Sequence, residues 1–102
     1  MVVPLLWLLL DLPEASSLKD KRRIVASMKE RVVSKYHVAA AEVGRNDVQR
    51  SCEFGGALVS NSASHGESVM QRVREYVETS FPVTIRAVEL YSEHHGPSRG
   101  DS

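Results

Sequence analysis

Near its start the chain runs Val2-Val3-Pro4-Leu5-Leu6-Trp7-Leu8-Leu9-Leu10-Asp11-Leu12, an almost unbroken apolar segment. Spanning a bilayer takes about 20 such residues, and a secretory leader carries a basic segment ahead of its apolar core. The segment has neither property, so neither a membrane span nor a leader is expected. It reads instead as a strand covered, at least partly, on both faces, which belongs in the middle of a sheet. Alternation puts Leu6, Leu8, Leu10 and Leu12 on one aliphatic face. Leu5, Trp7, Leu9 and Asp11 take the other, and Asp11 places that face nearer water. Pro4 has no N–H for the ladder, so pairing should be interrupted there, and Pro13 ends the strand.

The segments that follow supply the cover. Ser17 is a good N-cap, and Ser17-x-x-Asp20 has capping-box spacing with Asp in place of Glu. A helix is expected from about Leu18 to Lys35, with Leu18, Ile24, Val25, Met28, Val32 and Tyr36 on its buried stripe. Lys21 falls inside that apolar arc, so its stem should pack while its ammonium snorkels to solvent. His37 to Val43 is a short Ala-rich strand, 44–50 a loop, and Ser51 to Ser60 a third strand with Cys52, Phe54 and Leu58 inward. Gly55-Gly56 marks a bulge or a close backbone approach in it. Asn61, Ser62 and Ser64 compete to cap a second helix, with Ser64-x-x-Glu67 a second capping-box match. Val69, Met70, Val73, Tyr76, Val77 and Phe81 form its stripe, and Pro82 stops it. Val83 to Tyr91 is a fourth strand with a phase slip near Arg86-Ala87.

The order β-α-β-β-α-β predicts an α+β, ferredoxin-like sandwich: a four-stranded antiparallel sheet with two helices on one face, the first and third strands central. A single domain over residues 1–92 is expected. Residues 93–102 carry Gly, Pro, Ser and charge without an apolar period and are expected to be a disordered tail. With 102 residues the chain is long enough to bury a core without disulfides or a metal. Its one cysteine, Cys52, has no internal partner, which favours a reducing compartment.

Several stretches together resemble the YlxP-like family of small bacterial proteins of unknown function: Met1-Val2-Val3, Leu12-Pro13-Glu14-Ala15, Ser17-Leu18-Lys19-Asp20-Lys21-Arg22-Arg23, Ala41-Glu42-Val43, Gln49-Arg50 and Val59-Ser60-Asn61. The resemblance covers roughly Met1 to Tyr91. It implies a ferredoxin-like fold, a cytoplasmic location and genes lying among translation and ribosome-maturation genes, and it implies no established activity. Trp7 and Leu9 depart from it where polar residues are expected, and so does Val48 where an aromatic is common.

Two surfaces are candidates for function. Thirteen basic residues balance thirteen acidic ones, so there is no overall pull toward a polyanion. The distribution is uneven, however, with seven basic against four acidic residues from Met1 to Lys35. Lys19, Lys21, Arg22 and Arg23 crowd the first turns of a helix, where they oppose its dipole. With Ser17 they form a candidate anion site for RNA or ribosome phosphate, which Lys29, Arg31 and Lys35 would extend. The bland alternative is a solvated helix face. Second, Leu5, Trp7, Leu9, Ala57, Val59 and Tyr91 would form an apolar patch on the open sheet face, and a two-fold homodimer would bury it. The alternative there is cover by edge side chains or the tail. Base stacking of the RNA-recognition type is not expected, since the outward positions of the third strand, Glu53, Gly55, Ala57 and Val59, include no aromatic. No catalytic residue, metal, cofactor, small-molecule substrate or membrane contact is expected: His94-His95 lacks a spaced third ligand, and Glu42 with Glu53 reads as a surface pair across a hairpin.

Overall fold

The computed structural model describes residues 1–97. Its elements are β1 (Val2–Asp11), α1 (Leu18–Tyr36), β2 (Ala39–Gly44), β3 (Ser51–Ala57), α2 (Ala63–Ser80) and β4 (Thr84–His94). They form one four-stranded antiparallel sheet in the order β2-β3-β1-β4, so β1 and β3 are central and the topology is ferredoxin-like. Burial alternates strictly along β1. Leu6, Leu8 and Leu10, followed by Leu12, sit at 0–2% exposure under Val25, Met28 and Val32 of α1 and Met70, Val73 and Val77 of α2. Cys52 and Phe54 of β3 complete this core. Leu58 is only half-buried and packs at its edge.

Pro4 acts where its missing N–H matters. Even-numbered residues of β1 turn their N–H groups toward β3, as Val2 does in donating to Ser60 O at 2.8 Å. At Pro4 the only bond is the return one, Leu58 N to Pro4 O at 3.3 Å. The continuous ladder therefore ends at Leu5–Ala57, and the Val2–Ser60 pairing beyond it is an isolated bridge. This is why β3 stops at Ala57, short of the expected Ser60. Pairing with β4 uses the odd-numbered N–H groups and runs through Pro4 unbroken.

Both helix starts differ from the expected boxes. Ser17 Oγ accepts from Asp20 N at 3.0 Å, as expected, but Asp20 Oδ2 reaches back to Ser16 N at 3.1 Å rather than to Ser17. In α2 the cap is Ser62, whose Oγ accepts from His65 N at 3.2 Å. Ser64 then lies inside the first turn, and Glu67 is held by the Ser92 hydroxyl at 2.9 Å, so the Ser64–Glu67 box does not form. At the other end of α1, His37 takes the left-handed conformation (φ 55°) and donates its N–H to Val33 O. That αL cap lets α1 reach Tyr36 and delays β2 to Ala39.

Two bulges shape the sheet. Leu9 faces Ala87 while Leu10 faces Ile85, which leaves Arg86 as the extra residue of β4, as the sequence phase predicts. The other bulge is in β2, at Val43, between the Glu42–Phe54 and Gly44–Glu53 pairs. Gly55-Gly56 themselves are regular, and Gly55 serves the close approach instead: a Cβ there would meet Val43 Cγ1 at 3.1 Å. β4 continues to His94, past the expected Tyr91, and Met1 and His95 exchange backbone hydrogen bonds at 2.8 and 2.9 Å. The first residues of the expected tail are thus sheet, and 98–102 lie outside the described residues.

Candidate functional site

The basic start of α1 turns its charges in different directions. Lys21 is 0% exposed. Its Nζ lies 2.8 Å from Glu42 Oε2 and donates to the carbonyls of Arg45 at 2.6 Å and Asn46 at 3.5 Å. The ammonium is therefore not delivered to solvent, as the apolar-arc reading expected. Glu42 pairs with Phe54 on the helix-facing side of the sheet, and the turn after β2 folds its carbonyls over the lysine. Ser17 Oγ is committed to its cap. The chain's own Asp20 carboxylate accepts from Ser16 N and pairs with Arg23, two of the groups an external anion would use. The Arg23 hydrogen bond, helped by the Ser16 N–H, holds the Asp20 carboxyl below the usual carboxylate range. Of the five residues read as an anion site, Lys19 and Arg22 remain exposed and unpaired among the described residues, Arg23 is exposed but shared with Asp20, and Lys21 and Ser17 are engaged internally.

The sheet's open face is assembled more nearly as expected. Leu5, Trp7 and Leu9 run along β1, with Ala57 beside Leu5 on one flank and Tyr91 on the other. Val59, at 70% exposure, lies beyond the end of β3 and lines a separate shallow cleft with Val3 and His37. The main feature is a groove of about 420 Å³. One wall is Leu5, Trp7 and Tyr91, and the far rim includes Val43. Its floor is made of small residues: Gly55 and Ala57 from β3, Ala39 and Ala41 from β2. Sequence reasoning missed Ala39, Ala41, Val43 and Gly55 as parts of this surface. The signal was the period-2 pattern of β2, which becomes readable only once its register against β3 is known. Glu53 fixes the tryptophan by accepting from Trp7 Nε1 at 3.0 Å, and Arg45 Nε stands 3.7 Å from its other oxygen. Glu42 and Glu53 do not meet across the hairpin: adjacent strand positions put Glu42 under the helices and Glu53 on the open face.

Cys52 is fully covered. Burial, reinforced by the Glu42 charge, pushes its thiol up to about 12, so it holds almost no thiolate at neutral pH. Among the described residues no group of three His, Cys, Asp or Glu is gathered to hold a metal ion, and no helix is long and apolar enough to cross a membrane.

These features define a small α+β sandwich with a ferredoxin-like topology and an apolar groove on its uncovered sheet. Residues 3–90 match the family described as "Protein of unknown function (DUF503)", and the chain belongs to that family. It is 36% identical over 75 residues to the uncharacterized protein YlxP of Bacillus subtilis (strain 168), covering 74% of this chain and 80% of that one.

Proposed function

We propose that this protein is a non-catalytic interaction module that works as a two-fold pair, with the open faces of two sheets packed together. The observation that carries the reading is the shape of that face. A ridge of large side chains, Leu5, Trp7 and Tyr91, lies directly beside a trough floored by Gly55, Ala57, Ala39 and Ala41. A two-fold axis between ridge and trough sets the ridge of each copy into the trough of the other, which is the self-complementarity an isologous interface requires. Trp7 is already oriented by Glu53, so little side-chain freedom is lost on pairing. Aromatic anchors surrounded by a polar rim are also the usual composition of such an interface. Glu89 lines the groove, and Glu53 with its partner Arg45 stands beside Trp7, so these three supply the rim. The non-catalytic part of the reading rests on the reactive side chains: the Cys52 thiol is protonated and covered, and the Lys21 amine is buried and ion-paired.

Sedimentation equilibrium tests the pairing. The wild-type chain should weigh as a dimer, and Tyr91→Lys should weigh as a monomer with unchanged circular dichroism. Tyr91 is half-exposed, so this substitution leaves the core intact. Trp7→Glu should act in the same direction. A wild-type monomer at high concentration removes the proposal.

A further inference from the structure

The groove between α1 and α2, on the side of the molecule away from the sheet's open face, holds a second surface. Tyr36, Tyr76 and Phe81 form a ladder of edge-to-face rings, with centroids 5.6 Å apart at each step. Two cations lie over it: the Arg31 guanidinium is 5.7 Å from the Phe81 centroid, and Lys35 Nζ is 5.2 Å from Tyr76 and 5.9 Å from Tyr36. Both side chains are exposed, and among the described residues neither forms an ion pair. The rings hold the cations in place without neutralising them, so their N–H groups stay available at low entropic cost. Two clefts meet at Arg31, one of about 240 Å³ reaching Ser27 and one of about 390 Å³ reaching Ser34 and Lys35. Along the line Arg23, Ser27, Arg31, Lys35, residues recur every fourth position over about 18 Å of helix.

We infer that this groove binds the sugar–phosphate backbone of single-stranded nucleic acid. A single carboxylate or free phosphate would need one convergent pocket. A line of spaced cations with hydroxyls between them fits a ligand that repeats its negative charge along a chain. Arg31 offers the planar fork that takes a phosphate in two hydrogen bonds, and Lys35 offers a point charge one turn further on. Two groups oppose such a ligand: Glu30, which lines the Lys35 cleft and repels a polyanion there, and Asp20, which already pairs with Arg23 at the end of the line. This placement differs from the helix start, where Asp20 already accepts from Ser16 N.

Fluorescence polarisation with a labelled 12-nucleotide RNA of mixed sequence, at about 50 mM salt, tests the inference. Arg31→Gln/Lys35→Gln should weaken binding by about tenfold or more, and with two phosphates engaged the slope of log affinity against log salt should be about −1.4 for the wild-type chain. Arg50→Gln/Arg86→Gln, which removes the same charge from the loop before β3 and from β4, should change affinity by no more than about twofold. Glu30→Gln should tighten it. All these side chains are exposed, and circular dichroism checks that the fold persists. Three results overturn the inference: no binding at this salt, equal losses from the two double variants, or tighter binding of poly-glutamate than of RNA.

Discussion

Lys21 spends its charge inside the protein, and this gives its removal a definite cost. Without the ammonium, the Glu42 carboxylate and the carbonyls of Arg45 and Asn46 lose their shared donor in a site largely shielded from water. Breaking a buried pair in this way costs about 3–5 kcal/mol, whereas replacing both partners by apolar groups costs much less. Lys21→Met should therefore lower the urea-derived unfolding free energy by about 3 kcal/mol or more, while Lys21→Met/Glu42→Leu should lose far less than the sum of the single changes. Additive losses would contradict the pairing. Asp20 gives a pH signature of opposite origin. Its carboxyl is depressed by Arg23 and Ser16, so the folded state binds its proton less readily than the unfolded chain. Its contribution is fully present above the unfolded carboxylate value of about 3.9 and fades as pH falls through the lower folded value. Asp20→Asn should be less stable than the wild type at neutral pH, and the gap should close in strong acid when unfolding curves are compared across pH. The sequence carried the Ser17 cap and the special position of Lys21. It did not carry the direction of the ammonium, because that depends on Glu42, twenty-one positions away, and on the carbonyls of a turn.

At the scale of elements, β1 is both the most legible part of the chain and the one that sets its neighbours' limits. Its apolar alternation reads directly as a central strand, and its Pro4 decides where β3 ends. Pro4 also meets α2. A Cβ at Gly66 would overlap the Pro4 ring, which is rigid and buried in the sheet. Alanine in a helix is normally about 1 kcal/mol better than glycine. Here Gly66→Ala should instead destabilise by about 1–3 kcal/mol, since α2 must lift off β1 or the strand must shift. A raised melting temperature in this variant would show that the helix–strand contact is looser than described. The phase slip at Arg86 was visible because it breaks an alternation within one strand. The bulge at Val43 was not, because an Ala-rich strand has no strong alternation to break.

At the scale of the whole molecule, the two faces of the sandwich carry different chemistry. The open sheet face joins an aromatic ridge to a small-residue trough, and the outer side of α1 gathers exposed cations. If two copies pair through the sheets, folding is coupled to association. The melting temperature of the wild-type chain should then rise with protein concentration, and that of Tyr91→Lys should not, as differential scanning calorimetry over a hundredfold range would read. Identical concentration dependence in both would argue against the sheet pairing. The pairing also leaves both α1 helices facing outward, so the cation–aromatic groove stays accessible in either state.

By itself, the sequence determined the element order, the sheet topology and which face of each helix is buried. Those follow from local apolar periods, caps and prolines, which act within a few residues. It also placed Leu5, Trp7, Leu9, Ala57 and Tyr91 on one face, because strand alternation carries across a register that the topology implies. The tertiary structure alone decided what the charged side chains do. Lys21 turned inward to Glu42, Asp20 engaged Ser16 and Arg23, and Arg31 and Lys35 settled over rings supplied largely by the second helix and its exit. Charge–charge and cation–ring energies depend on separations of a few ångströms between groups distant in sequence. No local pattern contains those separations, so the surface that reads as a basic helix start in one dimension is redistributed between the core and a groove in three.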